Sequence, residues 1–392
     1  MKLCIIGTGY VGLVSGTCFA DLGNTVYCVD KDVNKINLLN KCEIPIYEPG
    51  LNELVKKNFL QNRLIFTNNI KLAIKNSDII FICVGTPTNK KTNSANLKYV
   101  YNATKEISKY INKYKIIVNK STVPVLTGDK IEKIIKKKYK NVDVISNPEF
   151  LREGEAIRDF IYPDRIVVGT NSKKGIKIMK NLYEPIINKG AKFVNTSRRG
   201  AELIKYASNA FLATKITYIN EISDLCEKTD VNIEDISIGI GLDQRIGSRF
   251  LRPGPAYGGS CLPKDTRAMV KTAKKFNIGY AQDKWDALLN HFGSDTPNKE
   301  LDESGLFSKK DNRFYDRFRG RVIFPIRNIK GDFIAMGGRI IDEGEPKYLN
   351  SPETSFFKKS NELFGLYEVK EAQKNISSLI VVEGYMDVIG LY

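Results

Sequence analysis

The stretch YGGSCLPKDT, residues 257–266, gathers several residue types that can do chemistry. Cys261 follows two glycines and a serine, and Lys264 and Asp265 come just after it. A thiolate is the nucleophilic form of cysteine, and a nearby cation or the start of a helix favours it. The glycines leave space beside the sulfur for a ligand. This pattern predicts a nucleophile at Cys261, with a buried, inert thiol as the alternative.

Two other stretches carry polar side chains four residues apart. Glu149 and Glu153 lie in NPEFLREG, and Lys205 and Asn209 lie in ELIKYASNAF. In a helix, residues with this spacing share one face, so each pair is expected to act at one place. Polar pairs of this kind also occur on solvated faces, and that interpretation stays open for both pairs. Lys205 and Asn209 interrupt an otherwise small and apolar face.

The segment IIGTGYVG holds Gly7, Gly9 and Gly12 in the G-x-G-x-x-G spacing, after an apolar strand and before a helical pattern. Such glycines permit a tight turn and bring pyrophosphate close to the helix N-terminus. The next strand, TVYCVD, ends at Asp30, where a carboxylate can bond both ribose hydroxyls and repel a 2′-phosphate. The sequence predicts a dinucleotide site that prefers NAD to NADP, with a merely structural glycine turn as the alternative.

The elements that must position these groups alternate along the first half of the chain. Short apolar strands are separated by stretches in which apolar residues recur about every 3.6 positions. This pattern predicts an α/β fold with a Rossmann-type doubly wound parallel sheet. The expected strands are KLCIIG, TVYCVD, RLIFT, DIIFICVGT, KIIVNKST, VDVISN, RIVVGT and AKFVNT. Residues 198–228 contain no proline and are expected to form one long helix, followed by a shorter helical region to about residue 280.

Composition changes near residues 277–282, where we place a boundary. The whole chain has a net charge of +17, yet residues 281–392 hold 16 Lys and Arg against 18 Asp and Glu. We expect three domains: an NAD-binding domain over 1–196, a helical middle domain over 197–280, and a third domain over 281–392. The lysine excess lies on helical patterns without interleaved aromatics, so it indicates a solvated surface rather than a nucleic-acid groove.

The cysteines restrict the class of protein. All seven lack a C-x-x-C spacing, and His291 is the only histidine, so the sequence predicts neither a disulfide framework nor a metal site. A reducing, cytoplasmic location fits best. The apolar start after Lys2 allows a secretory signal as the alternative. No apolar run approaches the roughly 20 residues that span a bilayer, so no membrane partner is expected.

Taken together, seven motifs over residues 1 to about 278 resemble one family, UDP-glucose 6-dehydrogenase. The motifs are IIGTGYVG, PIYEPGL, VGTPT, KSTVPVLTG, NPEFLREG, ELIKYASNAFLA and FLRPGPAYGGSCLPKD. The resemblance implies two successive NAD-dependent oxidations of a sugar C6 alcohol to an acid. An aldehyde becomes a hydride donor once a nucleophile adds to it, so Cys261 would form a thiohemiacetal and then a thioester.

The resemblance also implies roles for single residues. Lys205 and Asn209 would stabilise the oxyanion at C6. Asp265 and Thr122 would hold a water that acts as base, while Glu153 would assist thioester hydrolysis and Glu149 the earlier proton transfers. The implied NAD contacts are Gly7, Gly9, Tyr10, Val11, Gly12, Asp30, Lys35, Thr86, Thr122, Glu153 and Lys264. The implied substrate contacts are Glu149, Phe150, Leu151, Arg152, Glu153, Lys205, Asn209, Phe250, Leu251, Arg252, Pro253, Gly254 and Gly258.

From about residue 277 the chain resembles a different family, the polymerase core of bacterial replicative primase. The motifs are ESGLFSKKDNRFYDRFRGRVIFPIRN, GGRI, EPKYLNSPETSFFKK, LFGLYEV and LIVVEGYMDVIGLY. The resemblance implies an α+β primase-core-like fragment that ends in the start of a Toprim unit, with Glu383 and Asp387 as an acidic pair. Arginines interleaved with aromatics over residues 313–321 suit a nucleic-acid groove, although an Arg-rich turn before a buried strand is the alternative.

Three interpretations of the whole chain follow. A complete dehydrogenase of this family continues into a third, UDP-gripping domain, which nothing after residue 280 resembles. The chain is therefore interpreted first as a sugar-nucleotide dehydrogenase, with UDP-glucose, GDP-mannose or UDP-N-acetylmannosamine type substrates. The alternatives are a nucleic-acid-binding primase fragment and a fusion with little activity of either kind. The resemblance further implies a homodimer through the long helix.

Overall fold

The computed structural model describes residues 1–89, 94–259, 261–275, 277–292, 296–311, 313–341 and 344–372, together with 379 and 381. The chain separates into two compact units, Met1–Lys271 and Thr272–Tyr392. The finer division at residues 196/197 and the boundary at 277–282 stay predictions. Glu383 and Asp387 lie outside the described residues.

The first unit is built on one eight-stranded sheet, as the alternating pattern predicts. The strands are β1 (Lys2–Ile6), β2 (Thr25–Val29), β3 (Leu64–Thr67), β4 (Ile79–Ile82), β5 (Lys115–Asn119), β6 (Val142–Ser146), β7 (Arg165–Gly169) and β8 (Lys192–Thr196). Their order is β3-β2-β1-β4-β5-β6-β7-β8. All pairs are parallel except β6 with β7, which are antiparallel. All eight strands predicted from the sequence are present.

Helices cover both faces of this sheet. The helices along residues 1–275 are α1 (Tyr10–Asp21), α2 (Val33–Asn40), α3 (Leu51–Leu60), α4 (Ile70–Asn76), α5 (Lys98–Tyr110), α6 (Thr127–Lys136), α7 (Ala156–Ile161), α8 (Lys173–Ile187), α9 (Arg198–Thr229), α10 (Ile233–Gly241) and α11 (Leu262–Lys275). Successive residues of a strand point to opposite faces. Accordingly Leu3 and Ile5 join one apolar core, and Cys4 and Ile6 join the other. The central strands β1 and β4 are therefore apolar on both faces, as strands covered on both sides must be, whereas β8 at the end of the sheet is largely exposed.

The sheet gathers the predicted site at one edge. Parallel strands end at the same edge, and the order changes direction between β1 and β4. Ligands of open α/β sheets bind at such a switch point, beyond the carboxyl ends of the strands. The segments that follow β1, β4, β5 and β6 carry the glycine loop, Thr86, Thr122 and Glu149 respectively. Residues far apart in sequence thus reach one place.

Helix α9 contains 32 residues and confirms the predicted long helix. It begins after Ser197, whose side chain accepts a hydrogen bond from the Gly200 amide. At about 1.5 Å per residue the helix is about 48 Å long. Lys205 and Asn209 are buried on this helix, so the solvated-face interpretation is wrong for this pair.

Glu149 and Glu153 do not share a helix face. Residues 147–155 form a loop and turn rather than a helix, and Gly154 in it has a φ of +87°. Glu149 is buried and Glu153 is exposed. The i, i+4 interpretation of this pair is wrong, because the segment is the crossing from β6 to α7 and needs left-handed backbone at the glycine.

The second unit contains antiparallel sheets and short helices. Its elements are β9 (Gly279–Ala281), α12 (Ala287–Phe292), α13 (Asn298–Glu303), β10 (Phe307–Lys310), β11 (Arg313–Asp316), β12 (Arg321–Arg327), β13 (Phe333–Ile340), β14 (Tyr348–Asn350), a 3₁₀ turn (Lys359–Asn361) and α14 (Leu366–Ala372). The sheets have the orders β10-β11 and β14-β13-β12-β9. Within the described part of the chain, no helix is long and apolar enough to cross a membrane.

Candidate active site

The three glycines of the loop after β1 differ in what a side chain at each position would meet. Gly7 has a φ of +99°, and a Cβ there would lie 2.6 Å from the Cys83 carbonyl oxygen. A Cβ on Gly12 would lie 1.9 Å from the Gly7 carbonyl oxygen, so the helix could not pack this close to the loop. Gly9 precedes the first helical residue, Tyr10, and a Cβ there would meet nothing within 4 Å. Its surroundings leave room for a diphosphate at the start of α1, as a dinucleotide requires.

Asp30 at the end of β2 holds the same loop. One carboxylate oxygen accepts hydrogen bonds from the Thr8 amide at 2.9 Å and from the Thr8 hydroxyl at 2.8 Å. Lys35 Nζ lies 3.4 Å from this oxygen, while the Asp32 amide donates to the other oxygen at 3.1 Å. Burial raises the pKa of Asp30, but these hydrogen bonds and Lys35 outweigh burial and hold it below the usual value. Asp30 is therefore ionised at neutral pH, as ribose recognition requires.

A residue that the sequence analysis did not assign, Glu48, ties this loop to the segment of Glu153. Glu48 is buried, and its carboxylate accepts hydrogen bonds from the Gly154 and Ala156 amides, both at 2.8 Å. The hydroxyl of Tyr10 donates to the same carboxylate. One side chain thus connects the start of α1 to the turn before α7. Its only sequence signal is its place within the quoted motif PIYEPGL.

Glu149 and Lys205 form a buried ion pair. Lys205 Nζ lies 3.2 Å from Glu149 Oε1, and both side chains are about 5% exposed. The other oxygen of Glu149 accepts a 2.7 Å hydrogen bond from the Leu151 amide. The Phe150 ring lies 5.1 Å from Lys205 Nζ and 4.2 Å from the Arg165 guanidinium. A buried ammonium fixed in this way is a preorganised donor for negative charge.

Asn209 and Asp265 meet one turn further along α9. Asn209 Nδ2 donates a 2.6 Å hydrogen bond to Asp265 Oδ2. Asp265 is fully buried, and its Oδ1 has no hydrogen-bond partner among the described residues. Burial raises the pKa of Asp265 above its usual value, against Lys264 and Lys205, which lower it. A carboxylate with a raised pKa and one oxygen available for a water is suited to act as a general base.

Lys264 joins this pair to the end of the sheet. Its Nζ lies 3.6 Å from Asp265 Oδ1 and 3.4 Å from Thr86 Oγ1. The Thr86 hydroxyl in turn donates to the Thr122 carbonyl at 2.8 Å. The cofactor-side residues and the catalytic candidates are therefore connected through adjacent side chains.

Cys261 lies at the start of α11, as predicted. The helix begins at Leu262, and the Cys261 carbonyl accepts the first helical hydrogen bond, 2.9 Å from the Asp265 amide. Its side chain is partly exposed, whereas Cys4, Cys18, Cys28 and Cys83 are buried. The thiol is thus accessible, and it lies one turn from Asp265.

The remaining predicted substrate contacts lie in two segments, residues 150–152 and 250–258. Arg152 is paired with Asp159 at 2.6 Å and is half exposed. Phe250 has a φ of +65°, Leu251 is buried, and Gly254 donates through its amide to Asn220 of α9 at 2.9 Å. Among the predicted contacts of this segment, Arg252, Gly254 and Gly258 are exposed. The roles assigned to all of these residues stay predictions.

Two further buried ionisable groups adjoin the site. Lys120 Nζ lies 3.4 Å from Asn147 Oδ1 and 3.5 Å from the Tyr183 hydroxyl, and burial lowers its pKa. Glu202 on α9 accepts hydrogen bonds from the Gly128 amide and the Ser146 hydroxyl. Both lie inside the quoted motifs KSTVPVLTG and ELIKYASNAFLA, but periodicity cannot distinguish them from solvated residues. The described residues contain no cluster of His, Cys, Asp and Glu that could hold a metal ion.

Comparisons with known proteins match three segments of this chain. The model of the UDP-glucose/GDP-mannose dehydrogenase family, NAD binding domain, matches residues 1–187, and that of the family's central domain matches residues 199–289. A third model, the DNA primase catalytic core, N-terminal domain, matches residues 264–370. The dehydrogenase and primase matches thus overlap over residues 264–289, where the two resemblances met in the sequence.

Among individual proteins, a UDP-glucose 6-dehydrogenase of Rhizobium meliloti is 55% identical over 278 residues, which are 70% of this chain and 64% of that protein. A UDP-glucose dehydrogenase structure from Pyrobaculum islandicum is 36% identical with a TM-score of 0.67, covering 70% of this chain and 64% of that one. A ternary complex of GDP-mannose dehydrogenase from Pseudomonas aeruginosa is 31% identical with a TM-score of 0.60, covering 78% and 70%. The chain spans less than two thirds of the first relative's length.

Proposed function

Because the chain belongs to the UDP-glucose/GDP-mannose dehydrogenase family, we propose that it oxidises UDP-glucose to UDP-glucuronate in two NAD-dependent steps. The observation that carries the proposal is the buried set of Lys205, Glu149, Asn209 and Asp265, one turn from Cys261. The glycine loop and Asp30 fit NAD, the cofactor of the matched domain. Bound NAD supplies the hydride acceptor in both oxidations.

In the first oxidation the chain must remove a proton from the C6 hydroxyl and hold the oxygen. Asp265 acts as the base through a water that Thr122 helps to hold, since Asp265 Oδ1 has no hydrogen-bond partner in the described parts of the chain. Lys205 and Asn209 stabilise the negative charge that develops on oxygen. Each positioned donor of this kind contributes roughly 10²–10³ in rate.

In the second oxidation the thiolate of Cys261 adds to the aldehyde carbon, and the carbonyl oxygen takes up a proton. A carbon–sulfur bond forms, and the product is a thiohemiacetal, which becomes a thioester by losing a hydride from its carbon and the proton from its hydroxyl. Water then attacks the thioester carbon with help from Glu153, the carbon–sulfur bond breaks, and the thiol returns. Glu149 takes part in the proton transfers that precede this hydrolysis.

The sugar nucleotide lies against the two loops beside this cluster. Its proposed contacts are Phe150, Leu151, Arg152, Phe250, Leu251, Arg252, Pro253, Gly254 and Gly258. GDP-mannose and UDP-N-acetylmannosamine type substrates are the alternatives within the same chemistry.

The proposed function is tested by measuring NADH and acid formation from UDP-glucose and from GDP-mannose, for the unsubstituted chain and for Cys261→Ser. Cys42→Ser is the matched control. Acid formation by Cys261→Ser at the unsubstituted rate would contradict the role of the thiol.

A second copy of the chain is proposed to cover α9. Support comes from Phe211, Tyr218 and Leu225, which are 65%, 55% and 54% exposed and lie seven residues apart. Residues at this spacing share one helix face, so they form an apolar stripe about two turns long on each side of Tyr218. Sedimentation of the unsubstituted chain and of Tyr218→Asp would test the dimer. A monomer at micromolar concentration for the unsubstituted chain would contradict it.

Residues 281–392 are proposed to bind single-stranded nucleic acid weakly and in a salt-sensitive way. The Arg319 guanidinium lies 3.9 Å from the Trp285 ring centroid and 5.3 Å from that of Tyr315, and Trp285 is largely exposed. Cations next to aromatic faces suit phosphate contact and base stacking.

We also propose that the protein is cytoplasmic, because Cys261 must stay reduced to act as a nucleophile.

A further inference from the structure

A small cavity lies beside the paired side chains of the candidate site. Its volume is about 10 Å³, and Thr122 and Lys205 line it together with Asn119, Ser146 and Glu202. A space of roughly this size is the smallest that admits one water. The cavity wall is mixed: Val123 and Pro148 contribute apolar surface, and the polar groups beside them are hydroxyls, an amide, an ammonium and a carboxylate.

Two side-chain oxygens of residues that line this cavity have no hydrogen-bond partner within the described ranges. They are Asn119 Oδ1 and Glu202 Oε2, and both residues are at most 3% exposed. The amide of Asn119 is held in one orientation, because its Nδ2 donates to the Ser121 carbonyl at 3.0 Å. The other oxygen of Glu202 is fixed by the Gly128 amide at 2.7 Å and the Ser146 hydroxyl at 3.0 Å. A water has two hydrogens to donate and can satisfy both acceptors.

We propose that this cavity is a one-water site and that Glu202 accepts, through that water, a proton that leaves the Thr122–Lys205 side of the active site. The inference rests on the proposed dehydrogenase function. In the step, Asp265 returns the proton it has taken to the water that Thr122 helps to hold, and an O–H bond of that water breaks as one forms on the cavity water. An O–H bond of the cavity water then breaks as one forms on Glu202 Oε2, so Asp265 is again ionised and Glu202 is protonated. No electrons are transferred, and Glu202 later loses the proton to solvent.

The electrostatics around Glu202 suit this task. Burial raises its pKa to about 7, while the Gly128 and Ser146 hydrogen bonds lower it and the charge of Asp129 raises it. A group with a pKa near neutrality can both take and release a proton at working pH.

The other groups near Glu202 come from three elements. On α9, Lys205 lines the same cavity and Arg198 pairs with Asp129 at 2.8 Å. Asp129 is on α6. On α5, burial raises the pKa of Tyr101 and the charge of Glu202 raises it further, and the Tyr101 hydroxyl has no hydrogen-bond partner among the residues the structure describes.

The test uses the full chain and Glu202→Gln. The amide oxygen of glutamine can still accept from Gly128 and Ser146, but the side chain cannot take a proton. Infrared difference spectra across pH 5–9 are expected to show a protonated carboxyl band that titrates near pH 7 and disappears in Glu202→Gln. The matched control is Glu221→Gln, which replaces an exposed residue of the same helix and should leave that band in place. A crystal structure is expected to show one water within hydrogen-bond distance of Asn119 Oδ1 and Glu202 Oε2.

Ser146→Ala serves as a second variant if Glu202→Gln does not fold. It removes a hydrogen bond that lowers the pKa of Glu202, so the band should titrate at higher pH. An empty cavity, or no titrating band between pH 6 and 8, would overturn the inference. Turnover by Glu202→Gln with an unchanged pH profile would overturn the proton transfer. If the spectra and the water are as expected but no sugar nucleotide is oxidised, the proposed function fails and the water site remains.

Discussion

Asn209 Nδ2 lies 2.6 Å from Asp265 Oδ2, and this hydrogen bond joins the long helix α9 to the helix that begins after Cys261. The two residues are 56 positions apart in sequence and both are buried. Asn209 also lowers the pKa of Asp265, against the larger effect of burial. The bond therefore both aligns the two helices and sets the protonation of the proposed base.

Asn209→Ala should slow NADH formation by roughly 10²–10³, because it removes one donor to the developing oxyanion. It should also move the acidic limb of the pH profile to higher pH, because the pKa of Asp265 rises when the hydrogen bond is lost. The measurement is kcat against pH with UDP-glucose. Asn181→Ala, an exposed change on α8, is the control. An unshifted acidic limb would remove Asp265 from the role of base.

Asp30→Ala should weaken NAD binding by about tenfold or more and reduce the preference for NAD over NADP. A charged hydrogen bond contributes about 1.5–3 kcal/mol, and a 1.4 kcal/mol loss is tenfold in affinity. The change also frees Thr8, which Asp30 holds through two hydrogen bonds. Calorimetric titration with both cofactors checks this. Asp21→Asn, on the opposite end of α1, should leave both affinities unchanged.

Iodoacetamide should label Cys261 and Cys42 before the other cysteines. Burial raises the pKa of Cys18 and Cys83 to about 12 and also raises that of Cys4 and Cys28 well above the usual value, so their thiolates are rare at neutral pH. In Cys42→Ser, mass-spectrometric mapping after brief treatment should find the label on Cys261. Preferential labelling of a strand cysteine would contradict the assignment of the reactive thiol.

Glu48→Gln should loosen the turn that carries Glu153. The carboxylate accepts two backbone amides, and an NH₂ group in place of one oxygen would face one of these donors. A buried donor left unpaired costs about 1–3 kcal/mol. Trypsin should cleave after Arg152 faster in this variant, whereas Glu53→Gln on α3 should not change the cleavage rate. Equal rates would show that Glu48 does not hold the turn.

Glu202 should make the chain less stable as pH rises. Its folded-state pKa of about 7 lies above the usual 4.5, so the folded state binds more protons between these values and stability falls as pH rises through them. Glu202→Gln removes this loss, which is at most about 3 kcal/mol. Urea unfolding should show that the free energy of unfolding of the variant, relative to that of the unsubstituted chain, is higher at pH 8 than at pH 5. A constant difference between the two would refute the raised pKa.

The sequence predicted the eight strands, the long helix and the helix start at Cys261, because apolar periodicity and glycine spacing are local signals. It misjudged Glu149 and Glu153, since four-residue spacing cannot tell a helix from a crossing with Gly154 in the left-handed region. It also left Glu48, Lys120 and Glu202 without roles. Their partners come from distant strands and helices, and burial of a charge is invisible until those elements are packed together.

The last prediction concerns turnover by the 392-residue chain. The chain should bind NAD, yet it should oxidise UDP-glucose far more slowly than a full-length relative, which has a further third of sequence that this chain does not match. The match to the dehydrogenase family's central domain ends at residue 289, and the chain covers 64% of the Rhizobium meliloti relative. Catalysis needs C6 held against both the cofactor and Cys261, and a misplacement of about 1 Å can cost on the order of 100-fold.

Binding energy from the distant nucleotide ordinarily supplies that placement. We would measure NADH formation by the chain alone, and then with the C-terminal part of a complete relative expressed separately. Recovery on addition, with Cys261→Ser still inactive, would show that placement rather than chemistry limits the rate. Turnover at a complete relative's rate by the unsupplemented chain would mean that residues 281–392 supply the missing contacts.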